Sequence, residues 1–134
     1  MKVNFTIDGK PQGKGRPRLS YGRIKTPEQT VIYENYIKLL YRSQVKMYFE
    51  GPIKVIINCF YPIAKSDSKK KKQAKLNGEI RPHNIKPDAD NVIKVICDAL
   101  NTLAYKDDTQ IVELEAVKYF ADKPRVEVTI EDLA

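Results

Sequence analysis

The chain has 134 residues, 42% hydrophobic and 31% charged, which fits one globular domain spanning 1–134 and excludes a disordered or collagen-like sequence. No apolar run approaches the roughly 20 residues of a membrane-spanning helix, and Met1 to Asp8 lack a signal-like apolar stretch, so a cytoplasmic protein without membrane contact is expected. The net charge of +7 is divided: residues 1–86 hold 19 Lys/Arg against 6 Asp/Glu, a balance of +13, and residues 87–134 hold 5 against 11, a balance of −6. A basic body implies a polyanion partner, nucleic acid above all.

In chain order, Lys2 to Asp8 alternates with Val3, Phe5 and Ile7 on one face, which predicts a strand. Gly9 to Arg18 is a loop punctuated by glycine and proline. A helix is expected from Pro27 to about Tyr48, with Thr26 as cap and Gln29 completing a capping box. Its Tyr33, Tyr36 and Ile37 serve packing rather than base stacking. Ile53 to Phe60 is β-branched-rich and predicts a strand ending at Pro62. Ser66 to Asn77 predicts a short exposed helix around the run Lys69-Lys70-Lys71-Lys72. A second long helix is expected from Asp88 to Leu103, with Val92, Ile93, Ile96, Ala99 and Leu100 at helical spacing. Two strands, Thr109 to Phe120 and Arg125 to Ile130, finish the chain around a turn at Asp122-Lys123-Pro124. This order predicts an α/β (α+β) domain with a mixed sheet and two main helices. Cys59 and Cys97, without CxxC spacing, read as reduced core thiols. With His83 the single histidine, a structural zinc site is not expected.

The chemistry concentrates between residues 88 and 108, a window of 21 residues with five aspartates. Asp90, Lys94 and Asp98 stand at i, i+4 and i+8 on one helical face. Asp107 and Asp108 follow the helix and precede a strand, which can return them beside the helix start. Hard divalent cations take oxygen ligands, and Mg²⁺ needs only one to a few carboxylates, so Asp88, Asp90 and Asp108 could hold one. Lys94 would then face the charge developing on a phosphoryl group. The same residues also suit a plainer role, with Asp88 as a helix cap, Asp90–Lys94–Asp98 as surface ion pairs and Asp107-Asp108 as a polar turn.

The pattern Pro87-Asp88-x-Asp90-Asn91-x-x-Lys94-x-x-x-Asp98-x-Leu100, followed by Tyr105-Lys106-Asp107-Asp108-x-Gln110-Ile111, resembles the RusA family of Holliday junction endodeoxyribonucleases. So does the loop Gly9-x-Pro11-x-x-Lys14-x-Arg16-Pro17-Arg18. The resemblance implies a RusA-like fold and a Mg²⁺-dependent homodimer, with Mn²⁺ as an acceptable substitute, that cuts four-way DNA junctions in recombination and repair. By matching positions it implies Asp88, Asp90 and Asp108 as metal-binding carboxylates, Lys94 as the essential lysine and Asp107 as an accessory acid. The sequence departs from the pattern in a slightly shorter connection to Asp107, and in Pro87 standing before the first aspartate, with Lys86 in the basic role.

Lys14, Arg16 and Arg18 read as phosphate contacts near the site, or as a solvated basic turn; no P-loop spacing is present. Lys86 and the run Lys69, Lys70, Lys71 and Lys72 are further DNA-binding candidates, the run being equally a solvated face. His83 beside Pro82 reads as a loop hydrogen-bonder. Two other readings stay open: a basic nucleic-acid-binding module without catalysis, and a nuclease acting on other branched or single-stranded DNA.

Overall fold

The computed structural model describes all residues from Met1 to Ala134, apart from the side chains of Arg18, Ser20 and Lys25. Strand β1 (Lys2–Asp8) lies antiparallel to the final strand, and the small hairpin β2 (Arg18–Ser20) and β3 (Arg23–Lys25) follows. Next come α1 (Glu28–Gln44), β4 (Ile53–Pro62), α2 (Lys69–Leu76), α3 (Ala89–Leu100), β5 (Ile111–Ala121) and β6 (Arg125–Asp132). The main sheet has the order β1-β6-β4-β5, with β4–β5 parallel and the other pairs antiparallel, so it is mixed, as expected.

Alternation decides which sheet face is covered. Phe5 and Ile7 of β1, Val126, Val128 and Ile130 of β6, and Ile53, Val55, Ile57, Cys59 and Tyr61 of β4 are all buried. They meet Tyr33, Ile37 and Tyr41 of α1 and Val92, Val95, Ile96, Ala99 and Leu100 of α3 in one core. The parallel pairing of β4 and β5 requires a long crossover, and residues 63–110 supply it, carrying α2 and α3. Cys59 and Cys97 are both buried, unpaired thiols.

Both long helices are shorter than expected. At α1 the N-cap is Pro27, without any side-chain capping bond, so the Thr26–Gln29 box does not form. The helix stops at Gln44 because Lys46 turns into the left-handed region (φ 60°), which lets Phe49 enter the core and donate its N–H to the Ala104 carbonyl at 2.7 Å. Helix α3 stops at Leu100 for a similar reason. Tyr105 is fully buried, and its hydroxyl donates to the Cys97 carbonyl at 2.8 Å, which pulls the chain back along the helix. Asp88 is the N-cap of α3 rather than its first helical residue. Strand β4 ends at Pro62 as expected, β6 runs two residues further than expected, to Asp132, and Asp108–Gln110 form a single 3₁₀ turn before β5, which begins at Ile111 rather than Thr109.

The β2–β3 hairpin is not among the expected elements. It turns at Tyr21 and Gly22, both with positive φ (50° and 76°), the combination that a two-residue hairpin turn demands. Helix α2 is exposed as anticipated: Ser68 caps it by accepting from the Lys71 N–H at 3.2 Å, and Lys75 lies 4.6 Å over the Phe120 ring, which fastens the helix to β5.

Candidate active site

The start of α3 is held from two sides. From below, the Tyr61 hydroxyl donates to the Pro87 carbonyl at 2.9 Å. From above, the glycine-rich loop lies against the first helical turn, with the Lys14 N–H donating to the Asn91 carbonyl at 2.9 Å and the Gly15 N–H to Thr30 Oγ1 at 2.9 Å. The contact leaves no room for a side chain at Gly13, where a Cβ would come within 2.9 Å of Asn91 Cβ and 3.0 Å of Pro87 Cβ. This docking aims Lys14 across α3, where its Nζ meets Glu34 at 3.1 Å and Asp98 at 3.3 Å. Burial opposes the Lys14 charge, but the hydrogen bonds and charges of Glu34 and Asp98 win and raise its pKa.

Next to this anchor an open cleft of about 380 Å³ holds Asp90, Lys94 and Asp98 from α3 and Asp108 from the 3₁₀ turn. Ile93, Cys97, Val112 and Leu114 supply its apolar walls. The i, i+4, i+8 face read from the sequence is thus the face that lines the cleft. Asp98 Oδ2 is shared between Lys14 and Lys94, the latter at 3.4 Å, so a single carboxylate orients two ammonium groups. The Lys94 side chain remains well exposed, with its charge open to the cleft.

The adjacent acids Asp107 and Asp108 diverge. Asp107 caps the 3₁₀ turn in a reciprocal box with Gln110, and its carboxylate accepts from Thr109 Oγ1 at 2.9 Å. That bond, chiefly, holds its pKa below the ordinary carboxylate value. Gln110 in turn donates to the Phe49 and Gly51 carbonyls at 3.0 and 3.1 Å, which fixes the turn to the body of the domain. Asp108 points into the cleft. Burial, then the hydrogen bond and charge of Asp107 and the charge of Asp98, raise its pKa, with Lys94 acting against them.

Asp88 does not line the cleft; its carboxylate is half-exposed and accepts from Lys86 Nζ at 3.0 and 3.2 Å. Among the described residues, no three Asp, Glu, His or Cys side chains converge closely enough to share one ion. The donor chemistry of the cleft nevertheless fits a hard divalent cation. Asp90 and Asp108 offer carboxylate oxygens, the acidic neighbours of Asp108 outweigh the opposing charge of Lys94, and burial pushes the Cys97 thiol up to about 11, so no soft thiolate competes.

The remaining sequence candidates lie apart. Arg16 is exposed beside Gln12 and Pro27, and the side chain of Arg18 lies outside the described residues. Lys69, Lys70 and Lys71 are exposed on α2, Lys72 is half-buried, and Lys71 pairs with Asp67 at 3.7 Å. His83 is exposed, with its ring Nδ1 3.3 Å from the Arg81 carbonyl. Sequence reasoning missed Glu34, Tyr61 and Tyr105, and gave Asp98 no role of its own. Glu34 and Tyr61 meet their partners across 20 or more residues, so no local spacing could reveal them.

Residues 8–131 match the family described as Endodeoxyribonuclease RusA. The chain is similar to the uncharacterized protein YqaN of Bacillus subtilis (strain 168), with 37% identity over 139 residues that cover 98% of this chain and 97% of that protein. No helix among the described residues is long and apolar enough to cross a membrane. With nearly its whole length matched, the chain belongs to the RusA endodeoxyribonuclease family.

Proposed function

We propose that this protein is a divalent-metal-dependent endonuclease that resolves four-way DNA junctions by paired phosphodiester hydrolysis, acting as a homodimer. The observation that carries the reading is the meeting of Asp90, Lys94 and Asp108 in one open cleft of a chain from this family. Asp90 and Asp108 would hold Mg²⁺, or Mn²⁺ in its place. Asp88 would join them by giving up its exposed ion pair with Lys86, a bond worth less than about 1 kcal/mol. When bound, the cation would polarise a phosphate oxygen and lower the pKa of an attacking water.

The other groups position and neutralise. Lys94, steadied by Asp98, would meet the charge that develops on the phosphoryl group in the transition state. Lys14 ties the glycine loop to α3 through Glu34 and Asp98, so its ammonium serves the geometry of the site and is partly spent before DNA arrives. Lys86, Arg16, Arg18 and the α2 lysines would hold the DNA backbone. A four-way junction has two-fold symmetry, and a C2 dimer would set one cleft on each of two opposed strands.

The test is cleavage of a synthetic four-way junction, with matched duplex and single-stranded DNA, in Mg²⁺ and in EDTA. Paired nicks in opposed strands of the junction, in Mg²⁺ alone, are expected. Cleavage of duplex or single strands as fast as the junction would transfer the reading to another DNA substrate. Tight binding with no cleavage in any metal would leave only the basic binding module.

A further inference from the structure

Beyond the glycine loop lies a second groove whose chemistry contrasts with the acidic cleft. Two open cavities, of about 620 and 580 Å³, share Gln12 and Gln29 as a common wall. Lys10 and Lys86 border the first and Arg16 the second, and no carboxylate lines either one. The groove begins at Lys86 and Pro87, immediately before Asp88, so it opens at the acidic end of α3.

The glutamines set this groove apart. The chain has five. Three are structural: Gln44 bonds both backbone groups of Thr6, Gln73 donates to Asn77, and Gln110 holds the turn at Asp108. Among the described residues the side chains of Gln12 and Gln29 have no hydrogen-bond partner, and both face the same groove. Gln29 would have been used in a capping box, but Pro27 occupies the cap and leaves its amide open. Gln12 sits between buried Pro11 and tightly packed Gly13, so its backbone is fixed before any ligand arrives. Both glutamines are exposed, and two amides free to donate and accept among three cations suit a ligand with an anionic backbone and a hydrogen-bonding edge.

We propose that this groove receives a nucleotide next to the scissile phosphate, with Gln12 and Gln29 reading its base edge and Lys10, Lys86 and Arg16 holding its backbone. The proposal rests on the nuclease reading above and deepens it, since it makes the two glutamines the determinants of where a junction is cut. A primary amide both donates and accepts, and one well-matched amide–base pair discriminates against the wrong base by about tenfold or more.

The experiment has two arms. In the first, junctions differing only in the nucleotides at the branch are cut by the wild type, Gln12→Ala, Gln29→Ala and Gln29→Glu, each confirmed as folded by circular dichroism. The wild-type rates should spread by about tenfold or more between best and worst sequences, and the alanine variants should flatten that spread. Gln29→Glu can only accept, so its preference should move towards bases that offer an amino group, cytosine above all. A purely structural glutamine would give no such shift. A spread unchanged in all three variants would overturn the proposal.

The second arm needs no catalysis. Junctions carrying 4-thiothymidine beside the branch are photo-crosslinked to the wild type in EDTA, and the adducts are mapped by mass spectrometry. Adducts on residues 9–16 or 27–32 are expected. Adducts confined to α2 or to the sheet would overturn the groove. A wild type that cuts no junction yet crosslinks at Gln12 or Gln29 would sink the nuclease reading and keep the groove as a nucleotide-binding site.

Discussion

Asp107 and Asp108 share a peptide bond and have opposite surroundings, which gives them opposite effects on stability. Asp107 is stabilised as an anion by Thr109, so its contribution is present above the unfolded carboxylate pKa and is lost on acidification. Asp108 is raised by burial and by its acidic neighbours, so the folded state favours its proton and loses stability as the pH climbs through that raised value. In metal-free protein at neutral pH, Asp108→Asn should therefore raise Tm, and the gain should vanish towards acid. Asp107→Asn should lower Tm at neutral pH, because the capping acceptor is weakened. Mg²⁺ should raise the Tm of the wild type and not that of Asp108→Asn, since a ligand that binds only the folded state stabilises it. Calorimetry from pH 3 to 8, with EDTA and then Mg²⁺, reads all three. A neutral-pH Tm for Asp108→Asn below that of the wild type would show that the carboxylate is satisfied without a cation.

At the scale of elements, the glycine loop and α3 act as one unit. An added methyl at Gly13 meets the side-chain stem of Asn91 and the ring of Pro87, neither of which can retreat without moving α3. Gly13→Ala should destabilise the fold by about 1–3 kcal/mol, as overpacking does. It should also loosen the Lys14–Asp98 pair and with it Lys94, so junction cleavage should fall even at temperatures where circular dichroism shows a folded chain. A variant as stable and active as the wild type would mean that the loop rides freely over the helix. Most elements could be read from the chain: β1 begins and ends where its alternation does, and the cleft-lining face of α3 is its i, i+4, i+8 face. The helix ends could not, because Phe49 and Tyr105 leave helical paths for a core that only the whole fold provides. Neither could the division of labour between Asp107 and Asp108, which depends on Gln110 reaching back to Phe49 and Gly51.

The molecule as a whole carries an acidic site on a basic body, and the two make opposing demands on DNA. Residues 1–86 hold a balance of +13, while the cleft gathers Asp90, Asp98 and Asp108, with Asp88 at the N-cap of the same helix. Without metal, those carboxylates repel the phosphate that the body attracts. Changing Asp88, Asp90 and Asp108 together to Asn removes three negative charges, which takes the formal net charge from +7 to +10. On the proposed reading, in which these three carboxylates hold the cation, cleavage should disappear. Junction binding in EDTA should tighten, and more so at low salt, since the removed repulsion is screened within a Debye length of about 10 Å at 0.1 M. Each body-side phosphate contact should persist, so the dependence of affinity on salt should stay steep, at about −0.9 per neutralised phosphate on duplex arms. If the carboxylates were only caps and surface ion pairs, the triple variant would lose thermal stability and its folded fraction would cut at the wild-type rate. Fluorescence anisotropy in EDTA across a salt series, beside single-turnover cleavage in Mg²⁺, separates the two. Weaker binding by a folded triple variant would mean that these acids support the DNA-binding surface rather than oppose it, and metal recruitment would no longer account for their position.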